Sequence, residues 1–158
     1  MRIVFVIGPS MSGKSFFIAR EFPEAGFINS FTFTQHAFNA ESNEEIEEIL
    51  RNAQHYCREE LKNRIRKMKD DDVIVLEHPM LEKTTRAFYL EGVQEVTDVL
   101  PECVIVEPSN ELLMELSDNE QQLLLYRAYE KSIFELPQLD EGFSEIRYVR
   151  ALPWKPAS

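Results

Sequence analysis

The run Ile3–Ile7 (Ile-Val-Phe-Val-Ile) leads straight into Gly8-Pro9-Ser10-Met11-Ser12-Gly13-Lys14-Ser15. An unbroken apolar run rich in β-branched residues reads as a strand buried on both faces. The eight residues after it meet the pattern G-x-x-x-x-G-K-[ST] at each fixed position, and that spacing has a mechanism. Small residues let the chain curl so that successive backbone N–H groups point at phosphate oxygens. Lys14 then sets a point charge against the β and γ phosphates, and Ser15 offers its hydroxyl to Mg²⁺. Phe16–Glu21 reads as the start of a helix whose positive N-terminus faces the same anion. Strand before and helix after argue against a Gly-rich turn that binds nothing. The expected ligand is a nucleoside triphosphate with Mg²⁺, cradled by Gly8, Ser10, Met11, Ser12, Gly13, Lys14, Ser15 and Phe16. ATP is expected over GTP, because no Asn/Thr-Lys-x-Asp sequence of the kind that reads guanine in GTPases is present.

Two further runs repeat the type of the first, Val73–Leu76 and Cys103–Val106, and Gly26–Asn29 and Ile146–Val149 are weaker ones. Helical stretches separate all of them, the mark of a parallel sheet wrapped by helices. Ile3–Ile7, the least alternating run, belongs at the sheet centre. The expected partner of a P-loop is an acid at the end of a neighbouring strand, which orders Mg²⁺ directly or through water. Val73–Leu76 ends on Glu77, the expected second acid of the site. Asp70-Asp71-Asp72 sits at the wrong end of that strand and reads as a solvated turn. His78 reads as a packed or solvent-facing histidine.

The clearest helix carries apolar residues at Ile46, Ile49, Leu50, Ala53, Tyr56, Cys57, Leu61, Ile65 and Met68, on one helical face. Ser42 with Glu45 forms a capping box, which predicts a start near residue 43. Acids crowd its first turns and bases its last, as the helix dipole favours. The alternative is that the basic end faces a phosphorylated substrate. A second helix is expected from Ser117 through Phe134, and a third from Glu82 to Asp98, weakened at Gly92. The stripe Phe27, Phe31, Phe33, Phe38 reads as core or lid packing before base stacking.

The 158 residues, read as a single nucleotide-binding domain, carry 28 acids against 17 bases, a net charge of −11. That field repels phosphate backbones at long range, which argues against a protein that coats extended nucleic acid. It leaves room for a site that takes one phosphate or one nucleic-acid end. Cys57 and Cys103 both read as buried thiols of a reducing compartment, and the three histidines and two cysteines show no zinc spacing. The apolar run at the start is too short for a signal core or a membrane span. The expectation is a cytoplasmic protein with no membrane partner.

With the P-loop, the strand-end Glu77 and the stretch Pro137-x-x-x-Glu141-Gly142-Phe143-x-Glu145-Ile146, the chain resembles the small P-loop kinases of the polynucleotide 5′-kinase type. The resemblance spans nearly the whole chain. It implies the P-loop NTPase three-layer α/β sandwich, with a five-stranded parallel sheet in order 2-3-1-4-5 and helices on both faces. It also implies ATP and Mg²⁺ as cofactors, and phosphorylation of a hydroxyl on a nucleic-acid end, a nucleotide or a small molecule. Lys14 and Ser15 match the family's phosphate and Mg²⁺ residues, Glu77 stands where the family usually has Asp, and Arg86 where relatives often have Arg. Relatives carry a general-base Asp after the second strand, whereas residues 29–36 here contain no carboxylate. Relatives also clamp the γ-phosphate with lid arginines, whereas residues 108–122 contain no Arg or Lys. Arg127 and Lys131, beyond the lid, and Arg86 are the candidate sources of the cation, and His36 or Glu77 of the base. Lys14, Glu77 and Arg127 are the expected catalytic residues, Ser15 and Glu77 the expected metal ligands. The alternatives are an ATP-binding module with little or no catalysis and a slow NTPase.

Overall fold

The computed structural model of the chain describes residues 1–9, 12–33, 41–108 and 128–151. Among these run β1 (Arg2–Ile7), α1 (Lys14–Glu21), β2 (Gly26–Asn29), α2 (Asn43–Arg66), β3 (Val73–Glu77), α3 (Lys83–Gln94), β4 (Glu102–Pro108) and β5 (Glu145–Ala151). Short 3₁₀ turns occupy Ser30–Phe33 and Leu139–Glu141, and residues 128–133 are helical. The helix expected from Ser117 otherwise falls outside the described residues.

The strands form one parallel sheet in the order β2-β3-β1-β4-β5, as expected. Alternation along β1 explains why it is apolar throughout. Ile3, Phe5 and Ile7 face the layer of α2 and α3, packing with Cys57, Leu61, Ile65, Tyr89, Leu90 and Val93. Val4 and Val6 face α1, packing with Phe17, Ile18, Val75, Val104 and Val106. Each such side chain taken from water contributes about 1.5–3 kcal/mol, so a central strand with two covered faces has no place for a polar residue.

Ser42 caps α2 by accepting from the Glu45 N–H at 3.1 Å, while the Glu45 carboxylate reaches back to the N–H of Glu41. The apolar stripe of α2 is only half used. Ala53, Cys57, Leu61 and Ile65 are buried, whereas Leu50 and Tyr56 are exposed. At 1.5 Å per residue α2 runs about 36 Å and α3 about 18 Å, so the first turns of α2 extend past α3; Tyr56, between buried Ala53 and Cys57, is instead turned to the outer face.

Gly92 does not weaken α3; it lets two helices meet. A Cβ there would lie 2.8 Å from both Cγ and Nε of Arg58 on α2. Arg58 in turn spans the gap, donating to the Phe88 carbonyl and pairing with Glu95. The helix ends at Gln94, short of the expected Asp98, as the N–H groups of Val96 and Thr97 both turn back to the Val93 carbonyl.

The basic end of α2 lies at the N-terminal edge of the sheet. Arg64 donates to the Phe27 carbonyl. Arg64 and Lys67 help line a cavity of about 480 Å³ with Arg2, Asp71, Asp72 and Val73. That is the pole opposite Lys14, so these bases do not face the glycine loop, and their placement is the one that the helix dipole favours.

Candidate active site

A parallel sheet brings the C-terminal ends of its strands to one edge, where the loops after neighbouring strands open a crevice. At this edge β1 gives way to the glycine loop, β3 ends on Glu77 and β2 on Asn29. The pairing register sets Val6 beside Glu77 and Asn29 beside Glu77. Gly8 has φ +142°, and a Cβ on it would lie 2.3 Å from the Val106 carbonyl oxygen. Only glycine fits this close approach of loop to β4. Gly13, at φ 94°, is the left-handed N-cap of α1.

Lys14 opens α1 and is buried. Its Nζ curls over the loop, donating to the carbonyls of Gly8 at 3.0 Å and Pro9 at 2.7 Å. Ser12 Oγ is fully buried and has no hydrogen-bond partner among the described residues. A buried hydroxyl left unpaired costs about 1–3 kcal/mol, so this atom fits a site completed by a polar ligand. One residue beyond Lys14, Ser15 Oγ donates to Glu77 Oε1 at 2.8 Å. Asn29 Nδ2 approaches the other oxygen, Oε2, at 3.4 Å. Glu77 itself is only 8% exposed.

These contacts bring Lys14, Ser15 and Glu77 together as the spacing suggested, and add Asn29. Sequence reading passed over Asn29 because it sought carboxylates there. The available signal was positional: Asn29 ends an edge strand level with Glu77. Among the described residues no group of three or more His, Cys, Asp or Glu could hold a metal ion. Two protein oxygens nevertheless suit Mg²⁺, which keeps several waters and binds through one or two protein groups plus substrate phosphates. The residues present fit Mg²⁺ only together with a phosphate ligand.

His78 is packed. Its Nδ1 accepts from the Met80 N–H at 2.9 Å, and its ring lies 5.2 Å from that of Tyr89. Burial, with the Lys14 charge adding to it, pulls its pKa down to about 3, so the ring is neutral. Arg86 is withdrawn from the crevice. Its fully buried guanidinium pairs with Glu141, Nε to Oε1 at 2.8 Å, and donates to the Met80 and Leu81 carbonyls. The Glu141-Gly142-Phe143 stretch is therefore built into the packing: Glu141 holds Arg86, Gly142 has φ +122°, and Phe143 packs edge-on against Phe5.

Phe16, on the first turn of α1, is 62% exposed beside Ser15. Phe27 is exposed on β2, and Phe31 and Phe33 fall in the 3₁₀ turn after it. Lys131 is exposed in the helical segment 128–133. Ser10, Met11, His36, Phe38 and Arg127 lie outside the described residues. Among the described residues no helix is long and apolar enough to cross a membrane.

No protein-family model matches this sequence, and no curated protein does. Solved structures do match. A protein from Chloroflexus aurantiacus assigned provisionally to the kinases superposes with a TM-score of 0.67 at 13% identity, covering 94% of this chain and 87% of that one. A gluconokinase from Sinorhizobium meliloti 1021 gives 0.58 at 15% identity, with 96% and 83% covered. A sugar kinase from Janibacter sp. HTCC2649 gives 0.56 at 16%, with 93% and 85% covered. At such identities the likeness is one of fold: the chain shares with these structures a three-layer α/β fold, with a five-stranded parallel sheet in the order 2-3-1-4-5.

Proposed function

We propose that the chain is an ATP- and Mg²⁺-dependent phosphotransferase that acts on a hydroxyl of a small molecule, a nucleotide or a nucleic-acid end. The observation that carries this reading is the meeting of Lys14, Ser15 and Glu77 at one sheet edge, with Ser15 and Glu77 hydrogen-bonded at 2.8 Å. Kinase neighbours of similar fold support it.

In this reading the loop from Gly8 to Ser15 binds the phosphates through its N–H groups and Ser12 Oγ, with Phe16 alongside. Lys14 leaves the Gly8 and Pro9 carbonyls for the β and γ phosphates, exchanging neutral acceptors for charged ones and so adding a charge–charge attraction to each bond. Ser15 and Glu77 would hold Mg²⁺, which would supply positive charge against the phosphates during transfer. Asn29 steadies the Glu77 carboxylate. Arg127 is the cation assigned to the γ-phosphoryl group, with Lys131 as its alternative. A negative surface suits a small molecule or protein as acceptor better than long nucleic acid.

Two observations favour a second reading, a nucleotide-binding module or slow NTPase. Arg86 is consumed by Glu141, and residues 29–36 hold no carboxylate. A general base is typically worth 10²–10⁴-fold and a transition-state arginine about 10³–10⁵-fold, so lacking both would leave binding without much turnover. The deciding experiment is transfer of radiolabelled γ-phosphate to nucleosides, nucleotides, sugars and 5′-hydroxyl oligonucleotides, with an ATPase control. Labelled acceptor, lost on Glu77→Gln, is expected; ATP binding with no transfer to any acceptor or to water overturns the kinase reading for the module.

A further inference from the structure

We infer that Arg86 and Glu141 are positioning residues for the metal-binding acid: they hold the turn after β3 so that Glu77 meets Ser15. The inference rests on the nucleotide-site reading above and adds a function for a buried ion pair that touches no ligand.

The connections are all short. Glu77 is followed by a turn in which the His78 N–H donates to the Val6 carbonyl, and the Pro79 carbonyl accepts from the Gly8 N–H at 3.2 Å. One turn thus abuts both the metal-binding acid and the first glycine of the phosphate loop. Its shape is not one the chain favours unaided, because Met80 has φ +43°. A non-glycine residue in that region persists only where its surroundings over-determine it. They do so here. Met80 is buried at 1% exposure, and its N–H is held by His78 Nδ1. Arg86 Nη1 donates to its carbonyl at 2.9 Å and to that of Leu81 at 3.3 Å.

Arg86 can serve this way because Glu141 fixes it. The carboxylate accepts from Nε at 2.8 Å and Nη2 at 3.3 Å, and one of its oxygens also accepts from the Gln138 N–H at 2.7 Å. The same connector grips the turn a second time: the Glu135 N–H donates to the Leu81 carbonyl at 2.7 Å, and its carboxylate accepts from the Lys83 N–H. A buried guanidinium has five N–H donors to satisfy, and with Nε and Nη2 taken by Glu141, Nη1 is spent on two carbonyls within four residues of Glu77. The geometry makes the pair a brace between the approach to β5 and the Glu77 turn.

The test separates bracing from general stability. Removing one partner alone strands a buried charge, so the main variant is the apolar double replacement Arg86→Met with Glu141→Leu, since such swaps are often neutral or stabilising. Arg86→Lys, which can keep some of the bonds, is the milder companion. The readouts are Mn²⁺ affinity of the protein–ATP complex, by electron paramagnetic resonance, and ATP affinity without metal. The expected result is Mn²⁺ affinity about 10-fold weaker in the double variant and about 3-fold weaker in Arg86→Lys, with metal-free ATP affinity changed less than about 2-fold. Mn²⁺ affinity unchanged in the double variant, whether or not its melting temperature moves, overturns the inference and makes the pair merely structural. If the native chain binds neither ATP nor Mn²⁺·ATP, the nucleotide-site reading fails first, and the brace with it.

Discussion

Under the proposed function Lys14 serves two states of a loop. It bonds two loop carbonyls here, and a triphosphate offers it charged oxygens instead. Ligand at 100 times its dissociation constant stabilises a fold by about 2.7 kcal/mol, a rise of several degrees in melting temperature for a domain of this size. Lys14→Ala is expected to abolish most of the shift seen with ATP and Mg²⁺ by differential scanning fluorimetry. Gly8→Ala is expected to lose about 1–3 kcal/mol to backbone strain alone, read by urea unfolding, because its Cβ meets a carbonyl that cannot swing aside. The two thiols are a third case. Burial pushes Cys57 up to about 11 and Cys103 to about 12, from 9.0. Native protein should therefore resist iodoacetamide at pH 8, and unfolded protein should take two labels. The linkage has a definite sign: raised folded pKa values leave stability whole below pH 9, and it is lost as pH rises toward 11–12. Each thiol contributes about 1.4 kcal/mol per pH unit in that window. Cys103→Ala should remove that much of the slope in urea titrations at pH 9 and above.

At the scale of elements, α2 separates what local pattern shows from what packing uses. Its cap and start at residue 43 were legible because Ser42 and Glu45 sit three apart in the chain. Which half of its stripe is buried was not legible, since that depends on the length of α3. The contrast is measurable. Leu61→Ala is expected to cost about 2–5 kcal/mol and Leu50→Ala well under 1, with Ser42→Ala near 1, all from denaturant midpoints at constant m. Equal losses at Leu50 and Leu61 would mean that something covers the first turns of α2. The strands behaved otherwise. Each expected run became a strand with bounds within about two residues of expectation, and the three inner ones did so because strands covered on both faces need an unbroken apolar segment.

The whole molecule depends on contacts that close late in the chain. β5 completes the sheet, Phe143 joins the main core, and Glu141 neutralises Arg86. A chain ended at Phe134 would leave Arg86 buried without its partner, a loss of about 3–5 kcal/mol, and expose the edge of β4. Such a chain is expected to show no cooperative thermal transition by circular dichroism; a sharp one would mean that the first four strands form a stable unit.

The sequence by itself determined the strand–loop–helix at the start, the spacing of its glycines and the alternation of strands with helices. These rest on residues adjacent or a few positions apart, where covalent spacing and period settle the outcome. Tertiary structure alone decided that Ser15 meets Glu77 across 62 residues, that Asn29 joins them across 48, and that Arg86 turns to Glu141 across 55. It also decided that the basic end of α2 points away from the P-loop. A charged side chain goes to whichever partner the fold places within reach in a dry interior, and a one-dimensional pattern carries no record of that distance.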